Sequence, residues 1–416
     1  MPTPEFEARI QRAVDEGVIP GAVMLAKSKD GKLSYSKALG HATLPPSSPT
    51  ATPLKPSTTL TLASMTKLLT SISILQLIER GLTTLDTDVS ALLPELAAQP
   101  VLAGFDSDDN PILLPRKNPI LLRHLVSHSS GAGYVFLAPE LHKYFDKTGR
   151  QIPMPLSTVG GKTVAERFGY PLLFEPGQGW AYGSGMDWAG ELVRRLTGGK
   201  GLDSWVRENI SDKVGVREGG ITFYPGRYEE NHLERASMNT KNAETGKFEG
   251  VKGWNDKKEE GDETGGEGVY ADMESFMLVL ESLLKDDGKL LKKGGQAVDM
   301  LFEGLLSGKD ENKKAHEALK DSVRDPGWIV GWVPDNGEKY DWSVGGLVTT
   351  DDAEDGGRKK GFLQWGGVFN LAWYIDRTAG VTAIFATQIL QPADPLVKPL
   401  MKDFEDEIYK LLEKAK

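Results

Sequence analysis

The chain has 416 residues, 39% hydrophobic and 26% charged, enough to bury a large core in two or more domains or in one domain with a large insertion. Its 49 basic and 59 acidic side chains give a net charge of −10, which argues against nucleic acid or an anionic membrane as the main partner. With no cysteine, disulfides, thiolate catalysis and cysteine-ligated metals are excluded.

Met1-Pro2-Thr3-Pro4-Glu5 lacks the basic and then apolar pattern of a leader, and no apolar run reaches the roughly 18 residues of a membrane span. A soluble, cytoplasmic protein is expected. Thr3 suits an N-cap with Pro4 at the first helical position, and Phe6, Ile10, Ala13 and Val14 keep helical spacing up to Gly17. An apolar run from Ala22 to Ala26, the turn signal Asp30-Gly31 and Lys32 to Leu39 read as a hairpin. The Pro/Ser/Thr-rich segment from Leu44 to Ser57 reads as a loop.

That loop leads into Ser64-Met65-Thr66-Lys67, a Ser-x-x-Lys tetrad at the head of an apolar stretch that has no Gly or Pro before Gly81. The stretch predicts a helix apolar nearly all round, hence buried. Ser64 and Lys67 share a face, and the first-turn N–H groups of a helix lack partners. A hydroxyl, an amine and an oxyanion donor thus fall together. Lys67 in apolar surroundings would lose proton affinity and could act as a base. The tetrad recurs at Ser34/Lys37 and Ser282/Lys285, and a capping serine with a solvated lysine would look the same.

Ile120 to Val126, Met186 to Leu196 and Leu202 to Ile210 read as helices in a middle region poor in strands. Lys252 to Gly268 reads as an exposed loop, although Gly265-Gly266 and Gly268 could border a pocket. A helix is expected from Asp272 to Leu284 and a charged helical excursion from Leu305 to Arg324. From Trp342 onward the pattern is β: Ser343–Thr349, Gly361–Trp365, Phe369–Ile375 and Gly380–Ile389, followed by helical spacing from Val397 to Leu412. A hairpin at the start and strands at the end imply one antiparallel sheet built from both termini and covered by the terminal helices. The helical middle is then an insertion, giving an α+β fold with a sheet domain at 1–85 and 256–416 and a mainly helical domain at 86–255. The Ser64 helix fits the seam between them.

Tyr182-Gly183-Ser184 precedes the helix at Met186 and can reach such a cleft. A phenol beside an ammonium ionises more readily, so Tyr182 could take the Ser64 proton and return it to a leaving group. Taken alone, Tyr182 reads first as a packing residue with its hydroxyl on a carbonyl. Trp365-Gly366-Gly367-Val368 ends one predicted strand. Paired glycines mark either a bend or close approach of a ligand or another backbone, and the Val368 N–H could be a second oxyanion donor.

In this order and spacing, these three segments resemble the serine β-lactamase and penicillin-binding-protein superfamily, specifically its class C β-lactamase-like esterases (family VIII carboxylesterases). Trp365-Gly366-Gly367 stands where β-lactamases have Lys-Thr-Gly, which suits the esterase branch and puts recognition of a β-lactam carboxylate in doubt. Leu122-Arg123-His124-Leu125, Ser129-Ser130-Gly131, Tyr134-Val135-Phe136-Leu137, Asp187-Trp188-Ala189-Gly190 and Asn370 with Trp373, Ile375 and Asp376 resemble the branch of fungal lovastatin-pathway acyltransferases.

The resemblance implies a Ser64 acyl-enzyme, with Lys67 and Tyr182 managing the proton and the Ser64 and Val368 N–H groups holding the oxyanion. It implies that Tyr134, Ser184, Trp365, Gly366 and Gly367 line the substrate site. A short acyl group would pass from an ester or thioester, including one on an acyl carrier protein, to water or a secondary-metabolite alcohol. No cofactor or metal is expected. The alternatives are a β-lactamase or penicillin-binding-type hydrolase, or a non-catalytic binder of the same fold. A Ser-His-Asp site using His124 or His128 lacks a G-x-S-x-G elbow, and a metal pair at these histidines lacks an obvious third ligand.

Overall fold

A hairpin near the start of the chain and strands near its end join in one sheet. The computed structural model describes residues 4–154, 156–231, 233–253, 261–324, 326–334, 339–354 and 357–414. The strands are β1 (Gly21–Ser28), β2 (Ser34–Thr43), β3 (Thr52–Pro53), β4 (Tyr340–Trp342), β5 (Leu347–Thr349), β6 (Leu363–Gly367), β7 (Leu371–Asp376) and β8 (Val381–Ala386). They lie in the order β4-β5-β6-β7-β8-β1-β2-β3, and neighbours run antiparallel. The two ends of the chain meet where β1 pairs with β8, Val23 opposite Ala386 and Ser28 opposite Val381.

The period of two along these strands divides the interior into two cores. Val23, Leu25, Ile384 and Ala386 belong to one core; Ala22, Met24, Ala26, Val381, Ala383 and Phe385 belong to the other. The flanking helices are α1 (Pro4–Asp15), α2 (Thr66–Glu79), α3 (Gly185–Leu196), α4 (Met273–Lys285) and α5 (Lys398–Lys414). α1 and α5 close the second core with Phe6, Ile10, Phe404 and Ile408, and the rings of Phe6 and Phe404 stack at 5.8 Å. The first core continues into the helical middle of the chain.

α2 lies inside that first core. Every residue from Thr58 to Leu77 is buried except Ser64. Its buried hydroxyls find carbonyl partners: Thr70 donates to Gly265 at 2.7 Å, Ser71 to Val344 at 2.6 Å and Ser73 to Leu69 at 2.8 Å. Buried polar groups need such partners. α2 packs on α3, and Gly81 ends it with a φ of 70°, a value glycine takes without strain.

Several elements differ from expectation. The Ser64 helix begins with a 3₁₀ turn over Ala63–Met65. The helix expected over Leu202 to Ile210 passes at Arg207–Ser211 into a π-turn. Tyr340–Trp342 forms an edge strand just before the expected β region, and Ser343 to Gly346 are the turn that follows it. Thr264 to Glu267 are buried, so the exposed-loop reading does not hold there, while the rest of that expectation falls partly on residues 254–260, outside the described residues. The Thr3 cap also lies outside them.

Candidate active site

Ser64 sits in the turn that opens α2, and Lys67 follows one turn later. Lys67 Nζ lies 3.1 Å from Ser64 Oγ, 2.8 Å from the Gly266 carbonyl and 3.3 Å from the Tyr134 hydroxyl. Lys67 is buried; Ser64 is reachable. Neither the 3₁₀ turn nor α2 has a side-chain cap, so the helix head keeps its first-turn N–H groups free of side-chain acceptors, a setting that favours an anion. Ala63, just before Ser64, has a φ of 45°. A non-glycine residue in the left-handed region costs on the order of 1–3 kcal/mol and persists only where its surroundings hold it. The other two Ser-x-x-Lys tetrads lack this arrangement: Lys37 pairs with Glu7 at 2.9 Å and Lys285 with Glu281 at 2.5 Å.

The two remote segments converge here. Lys67 Nζ stands 4.7 Å from the centre of the Tyr182 ring. The Tyr182 hydroxyl accepts a hydrogen bond from the Trp365 indole at 2.9 Å. Trp328, Trp342 and His128 surround the same ring, with His128 at 4.6 Å. Gly366 pairs with Ala372 in the sheet, and Gly367 is where β6 meets the Ser64 turn. A Cβ at Gly367 would lie 2.2 Å from the Leu62 carbonyl oxygen, so only glycine lets the strand pass. Of the two readings of the paired glycines, close approach of another backbone holds at Gly367. Val368 follows directly and is partly buried against the core.

Tyr134 touches the site through its hydroxyl and is itself buried. Its phenol donates to Asp187 Oδ2 at 2.8 Å, and burial together with Asp187 pushes its ionisation well above the ordinary value. It is therefore a neutral phenol. Ser184 is fully buried, and its hydroxyl lies 3.5 Å from the Ala132 carbonyl. His124 and His128 each accept a backbone N–H on Nδ1, from Leu121 and Gly183 respectively, at 3.2 Å. Among the described residues no group of three or more His, Cys, Asp or Glu could hold a metal ion.

Three further neighbours of the site are Asp187, Glu267 and Arg167, of which only Asp187 lies in a segment the sequence marks. Asp187 and Glu267 are buried acids, and Arg167 donates to Glu267 at 2.6 Å. Asp187 Oδ1 accepts the Gly266 N–H at 2.9 Å. Burial, with Glu267 adding to it, raises the Asp187 carboxyl above the usual range against the pull of Lys67. The Asp187-Trp188-Ala189-Gly190 segment was visible as a motif, but its acid resembles an ordinary first-turn residue that favours the helix dipole.

The sequence profile of the Beta-lactamase family matches residues 6–404. This chain belongs to that family. Within it, the chain groups with serine esterases and acyltransferases. It is 37% identical to the lovastatin esterase of Penicillium rubens, across 97% of this chain and 98% of the relative. It is 35% identical to the monacolin J acid methylbutanoyltransferase of Aspergillus terreus, across 97% and 95%. The unliganded structure of simvastatin synthase from Aspergillus terreus superposes with a TM-score of 0.82 at 33% identity, covering 99% of this chain and 98% of that one. The α+β fold expected from the sequence is the Beta-lactamase-family fold. No helix among the described residues is long and apolar enough to cross a membrane.

Proposed function

We propose that this protein moves a short acyl group, by way of an ester on Ser64, from an ester or thioester donor to water or a secondary-metabolite alcohol. One observation carries the reading: Ser64 is the one residue between Thr58 and Leu77 left open to solvent, and its Oγ lies 3.1 Å from a buried lysine amine. Ser64 Oγ bonds the acyl carbon as its proton passes to Lys67 Nζ, with Tyr182 beside Lys67 to relay that proton to the leaving group. The Ser64 and Val368 N–H groups face the oxyanion. The alcohol or thiol leaves, and water or a second alcohol takes the acyl group.

The relatives include both an esterase and a transferase at similar identity, which supports a site able to use either acceptor. Phe136 is 54% exposed and stacks on Tyr134 at 5.2 Å, an apolar platform suited to a lipophilic acceptor. The donor class includes a thioester on an acyl carrier protein. The site then lies at the seam of a sheet unit (1–85 and 256–416) and a helical unit (86–255). Ser64→Ala is expected to abolish hydrolysis of p-nitrophenyl butyrate while melting like the parent. Turnover at the parent rate would end this reading.

A further inference from the structure

Lys67 can take the Ser64 proton only if its lone pair points at Ser64. A neutral amine has two N–H donors and one lone pair. Three oxygens surround Nζ: Ser64 Oγ, the Gly266 carbonyl and the Tyr134 hydroxyl. The lone pair faces Ser64 only when the other two oxygens act as acceptors.

Asp187 makes both of them do so. Its Oδ2 takes the Tyr134 proton at 2.8 Å, which leaves a phenol lone pair for Lys67. Its Oδ1 holds the Gly266 N–H at 2.9 Å, which fixes the residue whose carbonyl receives Lys67 at 2.8 Å. A Cβ at Gly266 would fall 2.5 Å from Asp187 Oδ2 and 2.6 Å from the Tyr134 hydroxyl, so a glycine is what lets the carboxylate and phenol close in. Asp187 is fully buried at the first turn of α3, away from the reacting atoms.

We infer that Asp187 is a positioning residue for the Ser64–Lys67 pair: through Tyr134 and Gly266 it directs the Lys67 lone pair at Ser64, and its charge stabilises the ammonium formed when Lys67 takes the proton. The inference rests on the acyl-enzyme reading above. The charged and titratable groups facing Asp187 are Lys67, Tyr134, Tyr170, Glu267 and Arg167, and His128 stands beside Lys67. Glu267 is held by Arg167 at 2.6 Å, whereas Asp187 bonds Tyr134 and Gly266, the two groups that contact Lys67.

The test is the pH dependence of kcat/KM for p-nitrophenyl butyrate, in the parent and in Asp187→Asn. The parent rate is expected to rise with pH along one limb as the Ser64–Lys67 pair becomes competent. Removing the anion disfavours the ammonium, so in Asp187→Asn this limb moves to lower pH by about one unit or more. The plateau falls by about tenfold to a hundredfold as the pair loses its alignment. A purely structural acid would lower the plateau and leave the limb in place. Tyr134→Phe, which cuts the phenol bridge alone, is expected to move the limb in the same direction by less, and it serves as the measurement if Asp187→Asn does not fold. An unmoved limb overturns the inference. Ser64→Ala run alongside separates the two ideas: a dead Ser64→Ala with an unmoved limb removes only the role of Asp187, whereas an active Ser64→Ala removes the acyl-enzyme itself.

Discussion

Trp365 donates its indole N–H to the Tyr182 hydroxyl at 2.9 Å, across 183 residues of chain. The bond ties β6 to the loop before α3, and it fixes the phenol oxygen whose ring lies against Lys67. Where β-lactamases are expected to carry a lysine, this chain has a neutral donor. The Tyr182 oxygen therefore accepts from the indole, and its own proton stays free to be passed on.

Trp365→Phe keeps an aromatic ring and removes that donor. Losing one buried hydrogen bond costs about 1–3 kcal/mol, so kcat for p-nitrophenyl butyrate is expected to fall by about tenfold to a hundredfold. Tyr182→Phe is expected to cost more. Combined with Trp365→Phe it should add little, because the two groups act as a unit. A kcat unchanged in Trp365→Phe, or full additivity in the double variant, would detach the indole from the proton path.

Arg358 and Glu405 form a buried two-point pair, Nε to Oε1 at 2.6 Å and Nη2 to Oε2 at 2.7 Å, that fastens the approach to β6 onto α5. Both side chains are largely buried, and the Arg358 guanidinium also covers the Phe362 ring in the second core at 4.3 Å. Glu405→Ala strands a buried cation and is expected to lower stability by about 3–5 kcal/mol in urea unfolding. Replacing both partners with apolar residues should recover most of the loss. Because the pair serves the core away from Ser64, kcat per folded molecule should stay at the parent value.

Stability should also fall in acid through His124. Burial, with Arg123 nearby, lowers its imidazole from 6.5 to about 4 in the folded chain. Between these values the unfolded chain binds the proton more readily, so stability is complete above the unfolded pKa and is lost as pH drops toward the folded one. The linkage is worth about 3 kcal/mol at most. Urea midpoints between pH 7.5 and 4.5 should therefore fall less steeply in His124→Gln than in the parent. Equal slopes would assign the acid sensitivity elsewhere.

Much of this architecture is legible in the residues because the physics is local. The Ser64 helix announces itself by an apolar surface all round and by the lack of Gly or Pro before Gly81. The unbroken apolar run from Ala22 to Ala26 suits a strand buried on both faces, and the structure divides those residues between the two cores. What escapes is set by distant partners. Thr264 to Glu267 look like solvent loop by composition, yet they are buried because Lys67 and Asp187 supply their hydrogen bonds from 199 and 79 residues away. Asp187 itself looks like a first-turn acid, and only Tyr134 and Gly266 in space reveal what it holds. The left-handed Ala63 has no sequence signal, since alanine is not the residue that turn chemistry favours there.

The central claim is a transient ester at position 64. Incubation with p-nitrophenyl butyrate, rapid acid quench and peptide mass spectrometry read it directly. The account predicts one butyryl group on the serine of Leu62-Ala63-Ser64-Met65, discharged faster when an alcohol is added, and no adduct in Ser64→Ala. A butyryl group on any other residue, or parent-rate turnover by Ser64→Ala, would contradict it.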